Sequence, residues 1–143
     1  MILVGSAQHS HTVENPFTAG ERITMIRLAL NEAGVDPARY TATPLPDAEF
    51  HKVWVAHLLS QTPIFQIAFT NEPLTGRLLK EAGIRVEKIA YFHRDIYSST
   101  EVRNRMLKEA NWAELLPPTV ASFLESIDAV ERIREISQSD KVS

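Results

Sequence analysis

The chain has 143 residues, 44% of them hydrophobic and 23% charged, with a net charge of −3 and no cysteine. It is the size of a single core, able to bury roughly two-thirds of its unfolded surface. The charge balance gives no overall positive field for nucleic acid or acidic membranes, and the lack of thiols excludes disulfides, thiolate metal sites and a cysteine nucleophile.

No apolar run approaches the length of a membrane span, and MILVG is too short to be a signal peptide. The expectation is one soluble, cytoplasmic domain over residues 1–143, with no nucleic-acid or membrane partner. The first residues, Ile2, Leu3 and Val4 closing on Gly5, predict a buried strand at the very start of the sequence. Chains rarely begin inside their own core, so a preceding segment is expected.

A polar loop follows, and then a helix whose start is marked by Thr18 and Glu21 at capping-box spacing. Ile23, Ile26, Leu28 and Leu30 supply its apolar face, and Gly34 ends it. A short strand is predicted near Tyr40 to Pro44, a helix from about Asp47 to Leu59, and a strand from Ile64 to Thr70. Asn71 with Pro73 marks the next helix start, Gly83 its end, and Arg85 to Tyr91 a fourth strand. A helix from about Ser99 to Ala110 and two or three short helices around Pro117 and Pro118 complete the chain. Alternating strands and helices imply an α/β fold, a parallel sheet covered by helices on both faces. Ligands then bind in the loops beyond the carboxyl ends of the strands.

The loop HRDIYSSTEVRNRM, His93 to Met106, carries the most chemistry. Ser98 and Glu101 again have capping-box spacing, which starts a helix at Ser99 whose first N–H groups and dipole favour an anion. Arg103 shares a face with Ser99 and Thr100, and Arg94 approaches from the strand side. Two guanidinium forks and two hydroxyls suit a polyphosphate. The same residues also fit a well-capped surface helix with solvated arginines. Arg105, four residues after Glu101, is expected in a surface ion pair, with Val102 and Met106 facing the core.

Two further stretches stand out. GSAQHSHT follows a strand directly, and its His9 and His11 lack a third metal ligand, so no metal site is assigned. In PDAEFHKVWVAH, Asp47 is placed at a helix start with Trp54 seven residues on, on the same helical face. Trp54 fits a core position as well as a platform for a ring.

Together, GSAQHSHTVENPFTAGERITMI, PLPD with HKVWVAH, TNEPLTGRLLKEAG and YSSTEVRNRML resemble the archaeal-type nicotinamide-nucleotide adenylyltransferases over almost the whole chain. The resemblance implies a Rossmann-like sheet, and transfer of AMP from ATP to nicotinamide mononucleotide (NMN), giving NAD and pyrophosphate with Mg²⁺ assisting. It places Asp47 and Trp54 in the NMN pocket, with Trp54 stacked on the nicotinamide, and Ser6, Ala7 and Gln8 beside it. His51 stands where the family often has an asparagine. Ser98, Ser99, Thr100 and Arg103 match the family's phosphate-binding helix start, Arg94 matches an arginine on the same phosphates, and homo-oligomers are common. Arg94 and Arg103 are the residues implied in catalysis.

The family's opening loop, roughly G-R-F-Q-P-x-H-x-G-H, has no counterpart in these residues. The resemblance therefore leads us to expect a missing first βα unit of about thirty residues. It also leads us to expect apolar flanks left uncovered, with weak turnover, a nucleotide-binding remnant or an assembly partner as the alternative function.

Overall fold

The computed structural model describes residues 1–139 of the chain. Its elements are β1 (Ile2–Val4), α1 (Ala19–Glu32), β2 (Ala42–Pro44), α2 (His51–Gln61), β3 (Ile67–Phe69), α3 (Pro73–Glu81), β4 (Arg85–Glu87), α4 (Ser99–Leu107), α5 (Pro118–Ser126) and α6 (Ala129–Ser139). Short 3-10 turns lie at Pro37–Arg39 and Ala113–Leu115. This is the α/β order with parallel strands that the sequence predicts.

β1 pairs parallel with β2, Leu3 opposite Thr43, and β3 pairs parallel with β4, Ala68 opposite Val86. Helix α1 packs on the first pair and α3 on β4, so each pair is a β–helix–β crossover. Among the described residues the two pairs form separate two-stranded sheets rather than one ladder.

The strands are shorter than the apolar runs suggest. The run from Ile64 to Thr70 yields only β3, and Ile64, next to Pro63, is 94% exposed. Beyond Glu87, Thr70 still donates to the Glu87 carbonyl, but Ile89 bonds to the side chain of Asn71 instead of a strand. That side-chain bond ends the ladder.

Helix boundaries follow local chemistry. Thr18 Oγ1 accepts from Glu21 N–H, and Glu21 returns to the Thr18 N–H at 2.8 Å, a complete capping box. Gly34 and Gly83 follow α1 and α3 with φ of 74° and 78°, the left-handed conformation open to glycine. At α3 the cap is Glu72, whose carboxylate accepts from the N–H groups of Leu74 and Thr75, and not Asn71, whose amide is committed to Ile89.

The core has two parts. Met106, Val120, Leu124, Ala129 and Ile133 join α4, α5 and α6, with Met25 and Leu28 of α1 against them. Leu45, Leu58 and Leu79 join the end of β2 to α2 and α3, with Trp54 packed on them. No residue of α1 is fully buried, and Leu3 and Phe69 are exposed. One ion pair links the two ends of the sequence: Arg132 of α6 donates to both carboxylate oxygens of Glu21 at 2.8 Å.

Candidate functional site

The loops after the four strands carry the residues with chemical potential. The first, 5–18, is held in an unusual shape. Ser6 and His11 both have positive φ, 48° and 58°, which non-glycine residues adopt only where surrounding contacts enforce it. Those contacts are visible for Ser6. His9 N–H donates to the Ser6 carbonyl at 3.0 Å, closing a turn, and Ala7 N–H donates to Leu45 at the end of β2. Arg22 adds three more bonds, to the carbonyls of Gly5, Ser6 and His9.

This turn projects Gln8 onto Asp47. The Gln8 Nε2 donates to Asp47 Oδ2 at 3.2 Å, and Asp47 N–H donates to Gln8 Oε1 at 3.0 Å. The helix expected to start at Asp47 starts instead at His51, with Phe50 as an N-cap that makes no side-chain bond. The physical reason is that the Asp47 backbone is drawn to Gln8, so Asp47 lies in the loop before α2. Its relation to Trp54 is therefore not one of shared helical face. Trp54 and His51 do share α2, three residues apart; His51 is exposed and Trp54 half-buried on Leu45, Leu58 and Leu79.

The second cluster is the start of α4. Ser98 caps it, its Oγ accepting from Glu101 N–H at 3.2 Å. The box is only half made, because the Glu101 carboxylate turns to Arg105 at 2.9 Å. The N–H groups of Ser99 and Thr100 have no hydrogen-bond partner among the described residues. They are the free donors of this helix end. The α3 start contrasts with it: bonds from Thr75 and Leu74 satisfy the Glu72 carboxylate there and hold its pKa below the ordinary value. A carboxylate fills one helix end; the other is left open to an anion.

Arg103 Nη2 lies 3.5 Å from Thr100 Oγ1, half-buried on the same face. With Ser98, Ser99 and Tyr97 it borders a cavity of about 470 Å³, whose apolar wall includes Phe17, Met25, Met106 and Leu124 and whose rim includes Arg22. Arg94 is elsewhere. It is exposed, its guanidinium 4.2 Å from the Tyr91 ring centre, and it does not border the cavity. Arg105 is committed to Glu101, Glu114 and the Asn111 carbonyl, the two carboxylates raising its pKa. It has the separate role expected for it.

The structure thus brings together Ser6, Ala7, Gln8 and Asp47 in one cluster and Ser98, Ser99, Thr100 and Arg103 in another. His11 Nδ1 sits 3.0 Å from Ser10 Oγ, and no group of three His, Asp or Glu placed for a metal occurs among the described residues. Sequence reasoning missed Arg22, which joins the clusters by holding the first loop and bordering the cavity. The sequence shows only that no acidic residue lies three or four positions from it to pair with, and that does not point to the loop.

Residues 1–105 match the cytidylyltransferase-like family. Over 141 residues the chain is 45% identical to the nicotinamide-nucleotide adenylyltransferase of Methanolobus tindarius, covering 99% of this chain and 80% of that protein. It is 43% identical to the protein of the same name from Saccharolobus solfataricus and 45% identical to that from Picrophilus torridus. Each of those two matches covers 99% of this chain and 82% of the relative.

Proposed function

The chain belongs to the cytidylyltransferase-like family and, within it, with the nicotinamide-nucleotide adenylyltransferases, and from that premise we propose that it joins NMN to the AMP part of ATP. The products are NAD and pyrophosphate. The observation that carries this reading is the similarity to proteins of that name over almost the whole chain.

The chemistry needs no protein nucleophile. The NMN phosphate has a second pKa of about 6, so near neutrality most of it is the dianion. One of its oxygens attacks the α-phosphorus of ATP. As that P–O bond forms, the bond from the α-phosphorus to the bridging oxygen breaks, and pyrophosphate leaves with the electron pair. The site has to align two anions and offset the charge that grows on the leaving oxygens.

In this reading Asp47, Trp54, His51 and the Ser6–Gln8 turn hold NMN. Ser98, Ser99, Thr100 and Arg103 hold the ATP phosphates, through free N–H groups, hydroxyls and a guanidinium fork. Arg94 leaves Tyr91 to reach the same phosphates. Guanidinium groups bind phosphate oxygens and not cations, and no group of three His, Asp or Glu placed for a metal occurs among the described residues, so a divalent ion, Mg²⁺ in our assignment, would be held by the ATP phosphates and would supply positive charge there. We place the enzyme in the cytoplasm as a homo-oligomer, which light scattering on the purified chain tests. The activity test is NAD formation from NMN and ATP, read with an alcohol dehydrogenase couple. Formation that needs both substrates supports the reading, and none in the presence of both contradicts it.

A further inference from the structure

We propose that Arg22 is a positioning residue for the mononucleotide half of the site: it holds the 5–9 turn in the shape that presents Gln8 to Asp47. The inference rests on the NMN reading of that turn.

Arg22 lies in the first turn of α1, behind the capping box formed by Thr18 and Glu21. Its Nη1 donates to the Gly5 carbonyl at 2.8 Å, and its Nη2 to Ser6 at 3.1 Å and His9 at 3.3 Å. Its Nε reaches the Thr18 carbonyl at 3.4 Å. A guanidinium has five N–H donors in a fixed plane. Four are spent on backbone carbonyls, three of them in the one turn, leaving a single N–H for anything else.

These carbonyls belong to a turn that is strained without support. Ser6 is at a φ of 48°, and the Ser6 carbonyl accepts from both Arg22 and His9 N–H. The turn delivers the Gln8 side chain, and Gln8 holds Asp47 by its N–H and its carboxylate. Arg22 thus fixes a carboxylate it does not touch. A lysine cannot replace it, since one ammonium lacks the planar fork that meets separated carbonyls.

Arg22 also borders the cavity beside Ser98 and Arg103, so a competing role is direct contact with ATP phosphate. The two roles differ in which substrate feels the change. The full chain and its Arg22→Lys, Gln8→Ala and double variants are titrated calorimetrically with NMN and, separately, with ATP. We expect Arg22→Lys to weaken NMN about tenfold and ATP less than about twofold, as misplacement of a bound group far from the chemistry costs affinity and rate. In the Gln8→Ala background the same change costs less than about threefold, because the two residues act in series.

Several results overturn the proposal. They are unchanged NMN affinity in Arg22→Lys, a larger loss for ATP than for NMN, or losses that simply multiply in the double variant. A variant that loses its native circular dichroism overturns it as well, since Arg22 would then hold the fold and not the turn. If the unaltered chain binds no NMN, the functional reading fails and takes the inference with it. If the unaltered chain binds NMN and the variants give any of those overturning results, the inference alone fails.

Discussion

Gln8 and Asp47, 39 residues apart, satisfy each other at two points: the Gln8 amide nitrogen meets the Asp47 carboxylate, and its oxygen takes the Asp47 N–H. The bond ties the loop after β1 to the loop after β2. It also leaves Asp47 exposed at the carboxyl end of a parallel pair, where α/β proteins place ligands. We expect Asp47→Ala to raise the KM for NMN by about tenfold or more while the KM for ATP changes less than about twofold. Asp47→Asn keeps an acceptor for Gln8 and should lose less. Steady-state kinetics with each substrate varied in turn checks this.

Arg103 should act on the other substrate. Removing a fixed cationic donor from a phosphate site is expected to cost on the order of 10²-fold in turnover per KM for ATP. Arg103→Ala should do so with little change in KM for NMN, and Arg103→Lys should recover part of the loss as a point charge. Arg94 starts on Tyr91 instead of beside the α4 start. Arg94→Ala should therefore weaken ATP without lowering thermal stability, measured by calorimetric titration beside a melting curve.

Trp54 offers an optical readout. It packs on Leu45, Leu58 and Leu79, whereas Trp112 packs on the other core cluster around Met106. NMN should quench tryptophan fluorescence in the Trp112→Phe variant and not in Trp54→Phe. Trp54→Ala should also destabilise the fold by roughly 3 kcal/mol, by cavity formation, which a denaturant titration resolves.

The Glu21–Arg132 pair predicts a pH dependence. Burial raises the Glu21 pKa, but hydrogen bonds from Arg132 and Thr18 and the Arg132 charge outweigh it, leaving it below the ordinary 4.5. The unfolded chain then takes up a proton at higher pH than the folded one. The stability from Glu21 is complete above about pH 5.5 and disappears as pH falls through 4.5 and the folded pKa beneath it. Glu32, lowered by its bonds from Thr119, has the same sign. Glu21→Gln keeps an acceptor for the Thr18 N–H and loses only the charge of the pair with Arg132, so it should cost on the order of 1 kcal/mol at neutral pH. Its melting temperature should converge on that of the unaltered chain in acid.

What the sequence made legible was the chemistry of near neighbours. Thr18 with Glu21, Gly34, Gly83, Ser98 before α4, and Glu101 with Arg105 all interact within a few residues, so spacing alone exposes them. The misplacements arose where a distant partner intervened. Gln8 takes the Asp47 backbone and delays α2 to His51; Ile89 takes Asn71 and leaves the α3 cap to Glu72. Arg94 was expected at the α4 start and is instead on Tyr91, a contact between near neighbours that a ring makes possible and spacing does not rank. The cluster of Ser98, Ser99, Thr100 and Arg103 was legible from spacing at a helix start, and that of Ser6, Ala7, Gln8 and Asp47 through the resemblance. Arg22 was not, because its partners are backbone carbonyls, which every residue has and no pattern marks.

The central claim is adenylyl transfer, and the fate of the ATP α-phosphate tests it most directly. The chain is incubated with NMN, Mg²⁺ and ATP carrying a radioactive label at the α-phosphorus, and the products are separated by chromatography. The account predicts label in NAD, equal in amount to the NMN consumed and to the pyrophosphate released. Label found only in ATP, or in AMP or ADP with NMN untouched, would contradict it.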